Sequence, residues 1–284
     1  MIAVEPSDST LSTFTATDGD NLALQDWPLP EGAPLRGVVI IVHGLGEHAG
    51  RYDPVARRLN RSGFAVRGYD HYGHGESGGV RGALSKDSRL VDDLADVIDS
   101  TRLRMEEGTP LIVLGHSMGG LVAACLVARG QVRVDGLVLS SPALDLGLSR
   151  FQKLLVSALP RIAPNFTVGN GLDPDYICRD PDVVAAYRTD PRVHGRISAR
   201  LASFLARSGP TVIAQAGDWS VPTLLMYAGA DRLVNPAGSR AFARAAPASV
   251  VTSHCFGDCF HEIFNEPDNE PVFEMLTQWL DERF

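Results

Sequence analysis

Residues 1–35 contain neither Lys nor Arg, and no apolar stretch follows that could form the core of a secretory signal. Nowhere does an apolar run approach the roughly 20 residues that a membrane-spanning helix needs. These absences make a soluble, cytoplasmic protein the expectation. Cysteine is scarce: Cys125, Cys178, Cys255 and Cys259 are the four in 284 residues, too few and too scattered for a disulfide framework. Basic charge is in the minority. A formal net charge of −8 argues against a non-specific nucleic-acid binder, which would normally be basic. No internal repeat and no low-complexity segment is present. What remains is ordinary for a globular chain, 44% hydrophobic and 21% charged, which argues against disorder. The length suits one large domain with a single core, or one domain with an insertion.

Phe14–Ala16 and Leu22–Trp27 flank the turn cluster Asp18-Gly19-Asp20-Asn21, predicting an N-terminal antiparallel hairpin. Val38–Val42 reads as a buried strand that empties into His43-Gly44-Leu45-Gly46-Glu47-His48, followed by a helix over Tyr52–Asn60. Phe64–Tyr69 is a further strand, ending in the glycine-rich loop Asp70–Ser77. Leu90, Leu94, Val97 and Ile98 recur at helical spacing. Leu137–Leu139 reads as a strand, and then the alternation halts. From about residue 145 to 216 no strand pattern is apparent. Strands resume at Thr223–Tyr227 and Ser249–His254, with helices over Gly238–Ala245 and the closing Phe273–Leu280 stretch. Repeated βα units imply an α/β fold: an open, mostly parallel sheet covered by helices on both faces. Residues 1–284 form a single domain on this reading, with 145–216 an inserted helical cap.

The centre of the chain is Leu111–Arg129. An apolar strand runs straight into Gly115-His116-Ser117-Met118-Gly119, and an apolar helix follows. Gly-x-Ser-x-Gly alone is weak, arising by chance in roughly one chain in ten of this length. Between a buried strand and a buried helix it becomes a sharp turn that lifts a serine Oγ out of the sheet. A serine hydroxyl is a poor nucleophile at neutral pH and needs a base, and the base needs an orienting group. Asp231 follows the Thr223–Tyr227 strand and His261 follows the last strand, so both reach the sheet edge where Ser117 sits. The order Ser117, Asp231, His261 is that of the α/β-hydrolases.

Rival assignments are weaker. Asp258 lies three residues before His261, but a carboxylate from another strand end orients a base better. His71 and His74 read as loop hydrogen-bonding groups, His116 as pointing elsewhere at the tight turn, and His254 as structural. His254, Cys255, Cys259 and His261 could in principle ligate zinc, yet eight residues make a cramped loop for four ligands. No metal and no cofactor are expected. His43-Gly-Leu-Gly46 has the form of the loop that supplies an oxyanion donor, which assigns the backbone N–H groups of Leu45 and Met118 to that role.

Taken together, His43–His48, Gly50-Arg51-Tyr52, Asp70–Ser77, Gly115–Gly120, Gly229-Ala230-Asp231 and His261–Glu266 resemble the monoglyceride lipase group of α/β-hydrolases in matching order over roughly residues 35–284. The resemblance implies an esterase or lipase cleaving monoacylglycerols, with a cap forming an acyl tunnel. It also implies Ser117, Asp231 and His261 as the triad and Leu45 and Met118 as oxyanion donors. Two departures stand out. Tyr72 occupies a position where many relatives carry Arg, and Phe264 stands where the mammalian enzymes carry a second histidine near the glycerol.

The leading expectation is therefore a serine hydrolase acting on monoacylglycerols through an acyl-enzyme. The alternatives are a lysophospholipase or short-chain carboxylesterase, and, from another class, a non-catalytic hydrolase-fold binding protein, which would usually lack a triad member. Glu47 and Arg51, four residues apart, can pair on one turn, and the resemblance implies that this region lies near the glycerol, as a candidate substrate contact. Leu148, Phe151, Leu155, Leu159 and Ile162 form an apolar stripe, with Leu148, Phe151 and Leu155 as candidate acyl contacts. Residues 146–216 carry nine Lys/Arg against five Asp/Glu, a net +4 on a chain that is otherwise −12. That asymmetry suggests transient contact of the cap with an anionic membrane surface.

Overall fold

In the computed structural model, which describes residues 9–149, 152, 156 and 158–284, eight strands form one sheet in the order β1-β2-β4-β3-β5-β6-β9-β10. These are β1 (Thr10–Thr15), β2 (Asn21–Trp27), β3 (Gly37–Val42), β4 (Phe64–Tyr69), β5 (Leu111–His116), β6 (Gly136–Ser140), β9 (Thr223–Ala228) and β10 (Val251–Phe256). β1 and β2 run antiparallel, and the other six are mutually parallel. The all-apolar runs that predicted doubly buried strands split by alternation. Ile40, Val42, Leu111 and Val113 face one core, while Val39, Ile41, Ile112 and Leu114 face the other. Full burial of such a side chain stabilises by about 1.5–3 kcal/mol, so a shift of one residue in register would exchange both faces at once.

Helices α1 (Asp53–Arg61) and α7 (Glu270–Asp281) cover the second face through Val55, Leu59, Phe273 and Leu276. Helices α2 (Arg89–Arg102) and α3 (Met118–Arg129) cover the first through Leu94, Ile98, Leu121 and Val122. α3 is buried nearly all round, as its unbroken apolar sequence requires.

Between β6 and β9 the chain leaves the main sheet. Helices α4 (Pro181–Thr189) and α5 (Ala199–Gln215) lie here, with α6 (Pro236–Ala245) following β9. The sequence showed no strand in this segment, yet β7 (Thr167–Gly169) and β8 (Arg196–Ser198) pair antiparallel. At three residues each they are too short to display a period-two pattern. Ile177, Cys178, Val184 and Tyr187 form a small core of their own.

Parallel register brings the carboxyl ends of β3, β5, β9 and β10 to one edge of the sheet. His43, Ser117, Asp231 and His261 all lie just beyond those ends, and the site follows from this.

Candidate active site

Ser117 joins β5 to α3 with φ 53° and ψ −117°, one of two non-glycine residues at positive φ among those described. Such a conformation costs roughly 1–3 kcal/mol and persists only where its surroundings enforce it. Here the Ser117 N–H donates to Ser140 O (3.0 Å), and the Ser117 carbonyl accepts from Ala143 N (2.9 Å). The flanking glycines permit the turn: a Cβ on Gly119 would run into the Val42 carbonyl, and one on Gly115 would stand 2.5 Å from Gly119 O. The serine is thereby raised at the head of a helix, and no hydrogen bond joins it to His261 among the described residues. Such contacts often tighten only with substrate present.

His261 Nδ1 lies 2.6 Å from Asp231 Oδ2. Asp231 Oδ1 accepts from the N–H groups of Leu233 and Val234, both at 2.9 Å. Burial alone would raise the Asp231 pKa, but the His261 charge, its hydrogen bond and the two backbone donors together hold it below the ordinary value. Burial works against the charged imidazole of His261. Asp231, with Glu262 and Glu47 behind it, outweighs that penalty and raises the pKa above the usual 6.5. Asp258, the rival acid, is exposed.

Leu45 and Met118 line the same cavity as Ser117 and His261. Their N–H groups donate to no acceptor among the described residues, which leaves two donors beside the serine. The loop bearing Leu45 is held from below. Gly44 N–H donates to Glu47 Oε1 (2.6 Å), the same oxygen accepts from Tyr52 Oη (2.8 Å), and Glu47 Oε2 pairs with Arg51. The Glu47–Arg51 pair that the spacing suggested is formed, but it is buried and its groups are committed to protein partners. Arg51 also makes a bidentate contact with Glu262, both distances 2.7 Å. Glu262 received no role from the sequence, although an acidic residue directly after the candidate base was its visible signal.

Several other expectations are changed or refined. His116 does not point away: its ring stands 4.7 Å from that of His261 and lines the cavity. Its Nδ1 lies 3.1 Å from Ser140 Oγ. Burial, reinforced by the neighbouring His261, lowers its pKa to about 4, so it stays neutral at physiological pH. His71 and His74 are buried in the loop network, the His71 N–H donating to His43 Nε2 (2.9 Å). Tyr72, the departure from Arg, packs its ring 4.2 Å from the Arg89 guanidinium. Phe264 packs against Phe273 in the second core. His254 and Cys255 are exposed on β10, whereas Cys259 and His261 are buried.

The apolar wall of the cavity comes from Leu146, Leu172, Ile177, Leu205, Leu233 and Val234. Leu148 is half-buried and is not part of that wall, and Phe151 and Leu155 lie outside the described residues. Leu159 and Ile162, from the same predicted stripe, are exposed. A helical periodicity marks a face but does not say what the face meets, so the stripe did not locate the wall. Ile177 and Tyr187 sit on short, proline-punctuated pieces with no periodicity to reveal them.

Comparison with known proteins places this geometry in context. Residues 33–268 match the family described as serine aminopeptidase, S33. A monoacylglycerol lipase of Mycolicibacterium smegmatis is 38% identical over 231 residues, covering 80% of this chain and 81% of the relative. Phospholipase YtpA of Bacillus subtilis is 33% identical over 202 residues, covering 70% and 77%. The crystal structure of a monoacylglycerol lipase from Paleococcus ferrophilus superposes with a TM-score of 0.83 at 34% identity, covering 93% of this chain and 99% of that one.

Proposed function

The chain belongs to the monoglyceride lipase group of α/β-hydrolases, within the serine aminopeptidase S33 family, and is a carboxylic ester hydrolase; from that premise we propose that it cleaves monoacylglycerols to fatty acid and glycerol. Ser117 Oγ attacks the ester carbonyl while His261 Nε2 takes its proton. The N–H groups of Leu45 and Met118 receive the oxyanion, and Asp231 holds the imidazole tautomer and stabilises its cation. The protonated His261 then gives its proton to the leaving alcohol oxygen. Water, activated by the same imidazole, releases the acid from Ser117. The observation that carries this reading is the 2.6 Å Asp231–His261 contact opening onto the cavity that holds the strained Ser117.

The second reading is a lysophospholipase, and the B. subtilis relative is named a phospholipase. Charge favours the first. Glu47 and Glu262 both line the cavity, Arg51 is the cation they share among the described residues, and the three side chains have a formal charge of −1. A phosphate on the leaving alcohol would meet like charge at short range, a mismatch that can cost several kcal/mol. Monoacylglycerols of increasing chain length, p-nitrophenyl esters and lysophospholipids should therefore be compared at equal acyl length. The expected result is a kcat/KM at least about tenfold higher for the monoacylglycerol than for the lysophospholipid. A lysophospholipid preference would overturn the assignment.

Substrates of this kind gather at lipid surfaces. No helix among the described residues is long and apolar enough to cross a membrane. Ile162 and Phe166 are 84% and 61% exposed, with Leu159 and Val168 nearby in the chain and also exposed. Several of the basic residues behind the net positive charge are already paired: Arg179 with Glu266, Arg188 with Asp175, Arg192 with Asp190 and Arg200 with Asp87. This favours apolar over electrostatic docking of the 145–216 segment. Ile162→Asp with Phe166→Asp should lower co-sedimentation with neutral vesicles by at least about tenfold, given the burial energy of two such side chains. Hydrolysis of a soluble p-nitrophenyl ester should be unchanged. Binding that survives the double substitution, or that vanishes in high salt with the native protein, would exclude this docking mode.

A further inference from the structure

We propose that Arg51 and Glu262 are positioning residues that join the oxyanion loop to the loop of the general base, so that the Leu45 N–H and His261 address one carbonyl as a single unit. The inference rests on the triad reading above and adds to it two residues that act through Glu47 and His261 rather than on the reacting atoms.

Two separate loops must agree in this site. One follows β3 and carries Leu45, and the other follows β10 and carries His261. They are 216 residues apart in the chain, and the sheet fixes only where each begins. Beyond the strand ends, side chains have to set their relation.

The bridge can be followed atom by atom. Gly44 N–H, one residue before Leu45, donates to Glu47 Oε1 (2.6 Å). Glu47 Oε2 accepts from Arg51 Nη1, which also donates to Glu262 Oε1 (2.7 Å), while Arg51 Nη2 donates to Glu262 Oε2 (2.7 Å). Glu262 is covalently next to His261. Its own backbone N–H donates to Ile177 O (2.7 Å), and Oε2 takes a further bond from Asn265 Nδ2 (2.7 Å). The Arg51 guanidinium lies 4.7 Å from the Tyr187 ring centre, which closes its remaining face.

Planarity is what makes the arrangement a ruler. A guanidinium offers donors in a fixed fork, so two carboxylates bound to it are held at a set distance and angle. A lysine in the same place would be a point charge without that directionality. Burial of the group is costly: side-chain exposure is 4% for Glu47, 12% for Arg51 and 7% for Glu262. Buried ion pairs are poor sources of stability, and apolar residues of similar volume often do as well or better. Stability is therefore a weak account of the cluster, whereas geometry is a strong one. A misplacement of about 1 Å between reacting groups can cost on the order of 100-fold in rate.

Glu47→Gln, Glu262→Gln and their double variant test this, all close in shape to the native side chains, with Arg51→Lys as a fourth. Each is assayed on a monoacylglycerol and on a p-nitrophenyl ester, with thermal unfolding followed alongside. Expected is a loss in kcat of about 10- to 100-fold on both esters, with KM within about threefold, because the oxyanion and the base serve every ester alike. The double variant should fall little below the poorer single one, since either substitution already breaks the bridge. Native kcat with only a lowered Tm would overturn the proposal. So would a loss confined to KM for the glycerol ester, which would make these residues head-group contacts, or full additivity in the double variant. Native protein and Ser117→Ala are measured in the same series. If native hydrolysis does not depend on Ser117, the triad reading fails and the bridge with it. If it does and the glutamine variants keep their kcat, the bridge alone fails.

Discussion

Ser117→Ala is expected to lower kcat by about four to six orders of magnitude while leaving the folded protein essentially as stable as before. The loss follows from removing the only atom that forms the acyl bond in the proposed reaction. Retained stability follows from the local geometry. The strained backbone at Ser117 is enforced by the Ser140 and Ala143 hydrogen bonds, which are main-chain to main-chain and do not involve the hydroxyl. Alanine meets the same steric limits at φ 53° as serine, so the strain is unchanged. Thermal unfolding and ester turnover measured on the same preparation separate the two effects. Turnover near the native rate in a folded variant would remove Ser117 from the mechanism.

Asp231→Asn should cost about 10⁴-fold in kcat, and the reason lies in the direction of two backbone bonds. The N–H groups of Leu233 and Val234 point at Oδ1. An asparagine there must place its carbonyl oxygen toward them and its NH₂ toward His261 Nδ1. The imidazole then has to accept at Nδ1 and carry its proton on Nε2, the nitrogen that should receive the serine proton. The base is present but in the wrong tautomer. Asp258→Asn, at an exposed residue away from this contact, should stay within about twofold of native turnover.

A pH profile adds a second readout. The base must be neutral to act, and its pKa is raised above 6.5, chiefly by Asp231 acting against burial. The acid limb of kcat/KM in the native protein should therefore lie above pH 6.5. In Asp231→Asn it should move to lower pH as the rate falls. A limb that stays in place would show that another carboxylate sets the charge of His261.

The strands and the edge residues were legible because a doubly buried parallel strand writes itself as an unbroken apolar run. The residues at the sheet edge then follow where such runs stop. Ser117 and Asp231 lie at such stops, and the glycines around Ser117 marked the close approach to β3. By contrast β10, the strand before His261, is largely exposed and carries no such run. The Glu47–Arg51–Glu262 cluster could not be read in the same way. A Glu and an Arg four apart look identical in sequence whether they lie on a surface or in a core, and Glu262 joins them only through a fold that brings β3 and β10 to one edge. The apolar wall of the cavity was equally hidden. Leu172 and Ile177 come from pieces too short or too separate to form a pattern, while the conspicuous stripe ends in the exposed residues Leu159 and Ile162.

The central claim is that the reaction passes through an acyl group on Ser117. The protein mixed with a p-nitrophenyl ester and quenched within the first turnovers should release p-nitrophenol in a burst approaching one equivalent per chain. Mass analysis of the quenched protein should find the acyl mass on the peptide that carries Ser117, and Ser117→Ala should show neither burst nor adduct. An acyl group on any other residue, or steady turnover by the folded Ser117→Ala variant, would contradict the account.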